Sequence, residues 1–113
     1  MSPLLQKQMK FAAMVSLLLD KAHSLGFLVT LGDAYRDPRV FGEIGKRMGY
    51  GHPKSAHKQK LAIDLNLYTQ EGRYLDKTED HRPLGEWWES MGGTWGGRFE
   101  DGNHYSLEYQ GIK

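Results

Sequence analysis

The stretch from Leu61 to Tyr68 restricts this chain more than any other. Leu61, Ile63, Leu65 and Leu67 fall on one side of an extended backbone, and Ala62, Asp64, Asn66 and Tyr68 fall on the other. Strict alternation at period two predicts a strand with one buried face, so Asp64 rides on a rigid element, on the side away from the main apolar set. A second alternation runs from Asn103 to Gln110, with His104, Ser106 and Glu108 opposite Tyr105, Leu107 and Tyr109. Asp64 and His104 can converge only if both strands present the same sheet face.

The remaining elements follow from spacing and breakers. Leu5, Met9, Ala12, Ala13, Leu17 and Leu18, with Leu4, Phe11, Val15 and Leu19 widening the stripe, predict a helix from Leu4 to about Ser24, stopped at Gly26. Phe27 to Leu31 reads as a short buried strand. Residues 32–38 form a loop, and Asp37 followed by Pro38 is an N-cap and first-turn pair for a helix reaching about Met48. Gly49 and Gly51 begin another loop. Residues 70–73 read as a turn into a short strand ending at Leu75, which makes a hairpin. Pro83 to Met91 reads as a helix halted by Gly92 and Gly93. The expectation is one α+β domain over residues 1–113, with N-terminal helices and a central antiparallel sheet that carries the site.

Composition narrows the chemistry. The chain has no cysteine, so a metal site must be built from His, Asp or Glu. Its net charge of +1 supplies no basic face for nucleic acid and no strong attraction to an anionic membrane. Lys7 and Lys10 interrupt the first apolar positions, and no apolar run there is long enough to cross a bilayer. The expectation is synthesis in the cytoplasm without a signal peptide, and a monomer.

Three residues fit a zinc site. His57 and Asp64 lie in Ser55-Ala56-His57-Lys58-Gln59-Lys60-Leu61-Ala62-Ile63-Asp64-Leu65, and His104 closes Asp101-Gly102-Asn103-His104. Zinc accepts imidazole nitrogen and carboxylate oxygen, and three protein ligands leave a fourth position for water. Asp101, three residues before the last histidine, is placed to take a proton from that water. Arg36 is the candidate cation for an oxyanion or a substrate carboxylate. Each has a plainer reading. The three ligands are equally a polar scatter on two amphipathic strands, Asp101 a turn residue, Arg36 an ion-pair partner of Asp33 or Asp37, and Ser55 a loop brace.

The arrangement Ser-x-His, Ala-x-Asp-Leu and a late Asp-x-x-His resembles the zinc D-Ala-D-Ala carboxypeptidase and L-alanyl-D-glutamate peptidase family, which cuts peptidoglycan stem peptides. Residues 85–99, Gly-Glu-Trp-Trp-Glu-Ser-Met-Gly-Gly-Thr-Trp-Gly-Gly-Arg-Phe, resemble its small phage-type branch, which includes endolysins. The resemblance implies a hedgehog/DD-peptidase-like fold and a Zn²⁺ ion on His57, Asp64 and His104. It also implies a catalytic base at Asp101, substrate contact at Arg36 and Ser55, and action on the cell wall after release. One departure stands out, because Lys60 occupies a position where the family pattern has Gly. The alternative is a zinc-containing wall-binding module that does not catalyse.

The other histidines and aromatics have plainer assignments. His23 and His81 read as surface or satisfied core residues, whereas His52 shares a glycine-rich loop with His57 and has a claim to a supporting or substrate role. Trp87 and Trp88 cannot both face inward on a short helix. Gly92, Gly93, Gly96 and Gly97 lack the Lys-Ser/Thr ending of a phosphate loop and read as tight bends around Trp95.

Overall fold

The structure is a computed structural model that describes residues 1–48 and 54–113; Gly49, Gly51 and His52 lie outside the described residues. Helix α1 covers Pro3–Ser24, with the Ser2 side chain accepting from the Leu5 N–H at its start. Strand β1 covers Leu28–Leu31, and a single helical turn, α2, covers Pro38–Phe41. A 3₁₀ segment at Ala56–Gln59 leads into β2 at Ala62–Tyr68. Then come β3 at Tyr74–Leu75, α3 at Thr78–Ser90, β4 at Thr94–Trp95, a 3₁₀ segment at Gly96–Phe99, and β5 at His104–Ser106.

The strands form one antiparallel sheet in the order β1-β2-β5-β4, with β3 pairing the far end of β2. This is the expected α+β architecture. β2 is the central strand, and its Leu61, Ile63, Leu65 and Leu67 side is buried as the alternation requires. Asp64 and His104 are directly opposite residues of the β2–β5 ladder, so the two strands do present the same face.

Helix α1 packs differently from its spacing. The buried residues are Phe11, Met14, Leu18 and Ala22, while Leu5, Met9 and Leu17 are exposed. The apolar stripe is wide enough to offer two seams, and the aromatic one wins because Phe11 meets Trp88 edge-on at 6.1 Å. Strand β1 is an edge strand with exposed Leu28 and Leu31, not a buried one. The helix at Pro38 stops at Phe41 instead of reaching Met48, because Gly42 turns the chain at φ 84°.

Helix α3 begins five residues before Pro83. Its start is set by Asp80, whose carboxylate accepts from the Lys77 N–H at 3.0 Å, and by acidic Glu79 and Asp80 in the first turn. Pro83 is accommodated inside the helix, where it removes one backbone bond in an element held by packing. Trp88 is fully buried and Trp87 only half, as two consecutive helical positions require.

Glycines let the tryptophan rings come close to the backbone. A Cβ on Gly85 would lie 2.1 Å from the Trp95 ring, and one on Gly93 would lie 2.1 Å from the Trp88 ring. Within the 92–97 cluster, Gly93 and Gly97 make room for the rings, while Gly92, at φ 92°, and Gly96 make the expected bends. His81 is a satisfied core histidine, with Nδ1 2.7 Å from the Tyr105 hydroxyl. Burial pushes the Tyr105 phenol up, so it keeps its proton, and the phenol and the imidazole share one buried hydrogen bond.

Burial also pushes His81 down from 6.5 to about 4, against a small opposing pull from Asp80. The folded value lies below the unfolded one, so this contribution to stability is complete above about pH 6.5 and is lost as pH falls toward 4. Chemical unfolding at pH 7 and pH 5 should differ by on the order of 2 kcal/mol from this group. The difference should shrink in His81→Gln; an unchanged slope would assign the pH dependence elsewhere.

Lys60 closes the 3₁₀ segment in the left-handed region, at φ 58° and ψ 36°. The family's glycine at this position has a physical reason, since a side chain there costs about 1–2 kcal/mol. Lys60 recovers part of that through its ammonium, which lies 5.1 Å from the centre of the Tyr35 ring. Lys60→Gly should therefore raise the urea midpoint, with a net gain of about 0.5–1 kcal/mol. A lower midpoint would mean that the Tyr35 contact outweighs the backbone strain.

Candidate active site

The loop between β1 and α2 is strapped onto the residues that matter. Gly32 N–H donates to Asp64 O and Asp64 N–H donates to Asp33 O, both at 2.8 Å. Arg36 N–H donates to His57 O at 3.0 Å. A Cβ on Gly32 would press on Asp64 at 3.1 Å. The Ser55 hydroxyl accepts from the His57 N–H at 3.2 Å and starts the 3₁₀ segment. His57, the neighbouring β2 and the Arg36 loop are thus one hydrogen-bonded unit.

On the other side, the turn before β5 is built on Gly96. Asp101 N–H donates to Gly96 O at 2.9 Å, and His104 N–H donates to Asp101 O at 3.0 Å. A Cβ on Gly96 would sit 2.2 Å from Asp101 O and 2.6 Å from His104 Cβ, so only glycine lets this turn close. The turn reading and the base reading of Asp101 are therefore compatible. Its backbone shapes the turn while its side chain is left for the cleft.

His57, Asp64 and His104 converge, each offering one ligand atom, all within 4.8 Å of one another. His57 Nε2 lies 3.1 Å from Asp64 Oδ1, and His104 Nδ1 lies 3.6 Å from the same oxygen. Ligands at zinc–nitrogen and zinc–oxygen distances form a tetrahedron with edges of about 3.3 Å. The tautomer of His57 tests the fit. Its Nδ1 is 2.8 Å from Ala34 O, which only accepts, so Nδ1 carries the proton. Nε2 faces the Asp64 carboxylate, so the space between them takes either a second imidazole proton or a cation. Burial alone would raise Asp64, but the His104 and His57 rings outweigh it and hold the carboxyl at about 2. These residues fit a divalent cation.

Arg36, Ser55, His57, Asp101 and His104 line one cleft of about 440 Å³, joined by Phe99 and Lys113. The Asp101 side chain is half exposed, with Oδ2 3.9 Å from His104 Nδ1. Its partial burial raises its carboxyl above the usual range, with His104 pulling against this and Asp64 adding to it. Arg36 donates from Nη1 to Ser55 Oγ at 2.9 Å and faces Asp33 at 3.4 Å, while Asp37 is taken by Arg39. Ser55 Oγ thus accepts twice.

The sequence matches the D-alanyl-D-alanine carboxypeptidase family over residues 49–107. The chain belongs to that family. No curated protein matches it. Membership in the D-alanyl-D-alanine carboxypeptidase family makes this chain a peptidase of the peptidoglycan-related, metal-dependent kind, and its His-Asp-His group can hold the metal. No helix among the described residues is long and apolar enough to cross a membrane.

Three side chains beside the site lie outside the motif. Phe99 sets its ring edge-on to His104 at 5.7 Å and forms an apolar wall of the cleft. Lys113 reaches the cleft from far along the chain. Lys58 follows His57 and is buried, with its ammonium donating to Phe41 O at 2.9 Å, Glu43 O at 3.3 Å and Lys46 O. An ammonium satisfied by backbone carbonyls holds the 41–46 segment against the histidine's own turn. Only the adjacency of Lys58 to His57 hinted at this.

Proposed function

We propose that this protein is a zinc peptidase that hydrolyses an amide bond of peptidoglycan stem peptides, L-Ala–D-Glu or D-Ala–D-Ala, in a cell-lysis role of the phage type. The observation that carries the reading is the meeting of two imidazoles and one carboxylate beside a cleft that also holds an acid, an arginine and a serine. His57, Asp64 and His104 hold the ion. When bound, zinc supplies Lewis acidity to the scissile carbonyl and acidifies a water toward a pKa of about 7.

The chain's own residues do the rest. Asp101 takes a proton from the attacking water as the carbon–oxygen bond forms, and returns it to the leaving nitrogen as the carbon–nitrogen bond breaks. A carboxyl raised by partial burial holds that proton more readily in between. Arg36 offers its guanidinium to the carbonyl oxygen as negative charge grows there. Ser55 fixes Nη1 of Arg36 and has its own hydroxyl proton left to donate to the substrate backbone. The partner is the stem peptide, without nucleic acid or membrane, and the chain acts as a monomer after release from the cell that makes it.

Purified protein incubated with sacculi should release new amino groups, stop with a chelator and resume on addition of Zn²⁺. Zinc binding and wall binding without amine release would instead establish the non-catalytic module.

A further inference from the structure

The cleft contains a second cation that the family-like motif does not. Lys113 lines it with Arg36, Ser55, Asp101 and His104. Its position is built by the segment before it. Gln110 and Gly111 both take positive φ, 49° and 77°, the geometry of a two-residue reversing turn. Across that turn, Tyr109 N–H donates to Ile112 O and Ile112 N–H donates to Tyr109 O, each at 3.0 Å. Ile112 packs against the core, and Lys7 of α1 donates to Glu108 O at 2.9 Å. The backbone leading to Lys113 is therefore fastened at both ends of the turn.

The two cations are differently placed. Arg36 is engaged with Ser55 and Asp33, and its side chain is only 12% exposed. Lys113 is exposed and makes no hydrogen bond or ion pair among the described residues. A lysine that lines the cleft without a partner, beside an engaged guanidinium, is suited to an anion on the substrate.

We propose that Lys113 is a specificity-determining residue that binds the free α-carboxylate on the leaving-amine side of the scissile bond. This rests on the reading of the site as a stem-peptide peptidase. Both bonds that reading allows share the chemistry. In D-Ala–D-Ala the leaving residue is a terminal D-Ala with its carboxylate. In L-Ala–D-Glu the glutamate continues through its γ-carboxyl, so its α-carboxylate is free on the carbon that bears the scissile nitrogen. One ammonium serves either substrate, and a flexible point charge tolerates the different lengths of peptide beyond the leaving residue.

The test uses two peptide pairs, acyl-D-Ala-D-Ala and acyl-L-Ala-D-Glu, each with the α-carboxylate free or as its amide. The zinc-loaded parent should prefer the acid of the pair it cleaves by about tenfold in kcat/KM, expressed in KM, as expected for one charge-assisted hydrogen bond. Lys113→Met should bring that preference close to one, Lys113→Glu should invert it, and Lys113→Arg should keep most of it. The same ratios are read without turnover by calorimetric binding of each peptide to Asp101→Asn and to its double variant with Lys113→Met. An acid preference unaltered in Lys113→Met, or lost equally in Lys113→Arg, overturns the proposal. A parent that cleaves neither peptide nor sacculi, yet binds the acids in a Lys113-dependent way, overturns the peptidase reading and leaves the carboxylate receptor standing.

Discussion

Asp101→Asn should lower amine release from sacculi by about 10²–10⁴-fold, the span of a lost general base, while the protein still binds zinc. The substitution keeps size and shape, and the turn survives because it is made by the backbone of Asp101, through Gly96 O and His104 N–H. The Asp101 side chain stands apart from the ligand group, 3.9 Å from His104 Nδ1 and half exposed, so metal stoichiometry should not move. Loss of rate with one bound zinc per chain separates a base from a ligand. Full turnover in the variant would remove Asp101 from the chemistry, and loss of zinc would recast it as a ligand.

His57→Ala should have the opposite signature, abolishing zinc binding and with it all activity above background. His57 is fully buried, and its ring is held between Ala34 O at 2.8 Å and Asp64 at 3.1 Å. Two remaining ligands on adjacent strands do not enclose an ion. The linkage between metal and folding supplies a second measure. Zinc at a hundred times its dissociation constant stabilises the parent by about 2.7 kcal/mol, so a chelator should lower the parent's thermal midpoint by about 10 °C. The midpoint of His57→Ala should not respond to chelator. Zinc content equal to the parent's would sink the ligand assignment.

The site was readable from sequence to the extent that its chemistry is local. Ser55, His57 and Asp64 lie within ten residues of one another on a turn and the strand it feeds, and Asp101 and His104 share one turn. Period-two alternation put Asp64 and His104 on polar faces before any pairing was known. Their direct opposition is a property of the β2–β5 register, which long-range packing sets. The errors have the same origin. The choice of seam on α1 depends on Trp88, far along the chain, and the exposure of β1 depends on its lying at the sheet edge. The start of α3 depended on Asp80 reaching back to Lys77, a signal that Pro83 masked.

Residue types and short spacings were enough to pick out a half-buried strand, a His-Asp-His group that can hold a metal and an acid beside it, because periodicity and coordination chemistry act over a few residues. The cleft itself arose only on folding. The bond from His57 Nδ1 to Ala34, the Lys58 clamp on the 41–46 carbonyls and the arrival of Lys113 all join segments distant in the chain. Such contacts leave no periodic trace, since each depends on where a remote backbone passes and not on what its neighbours are.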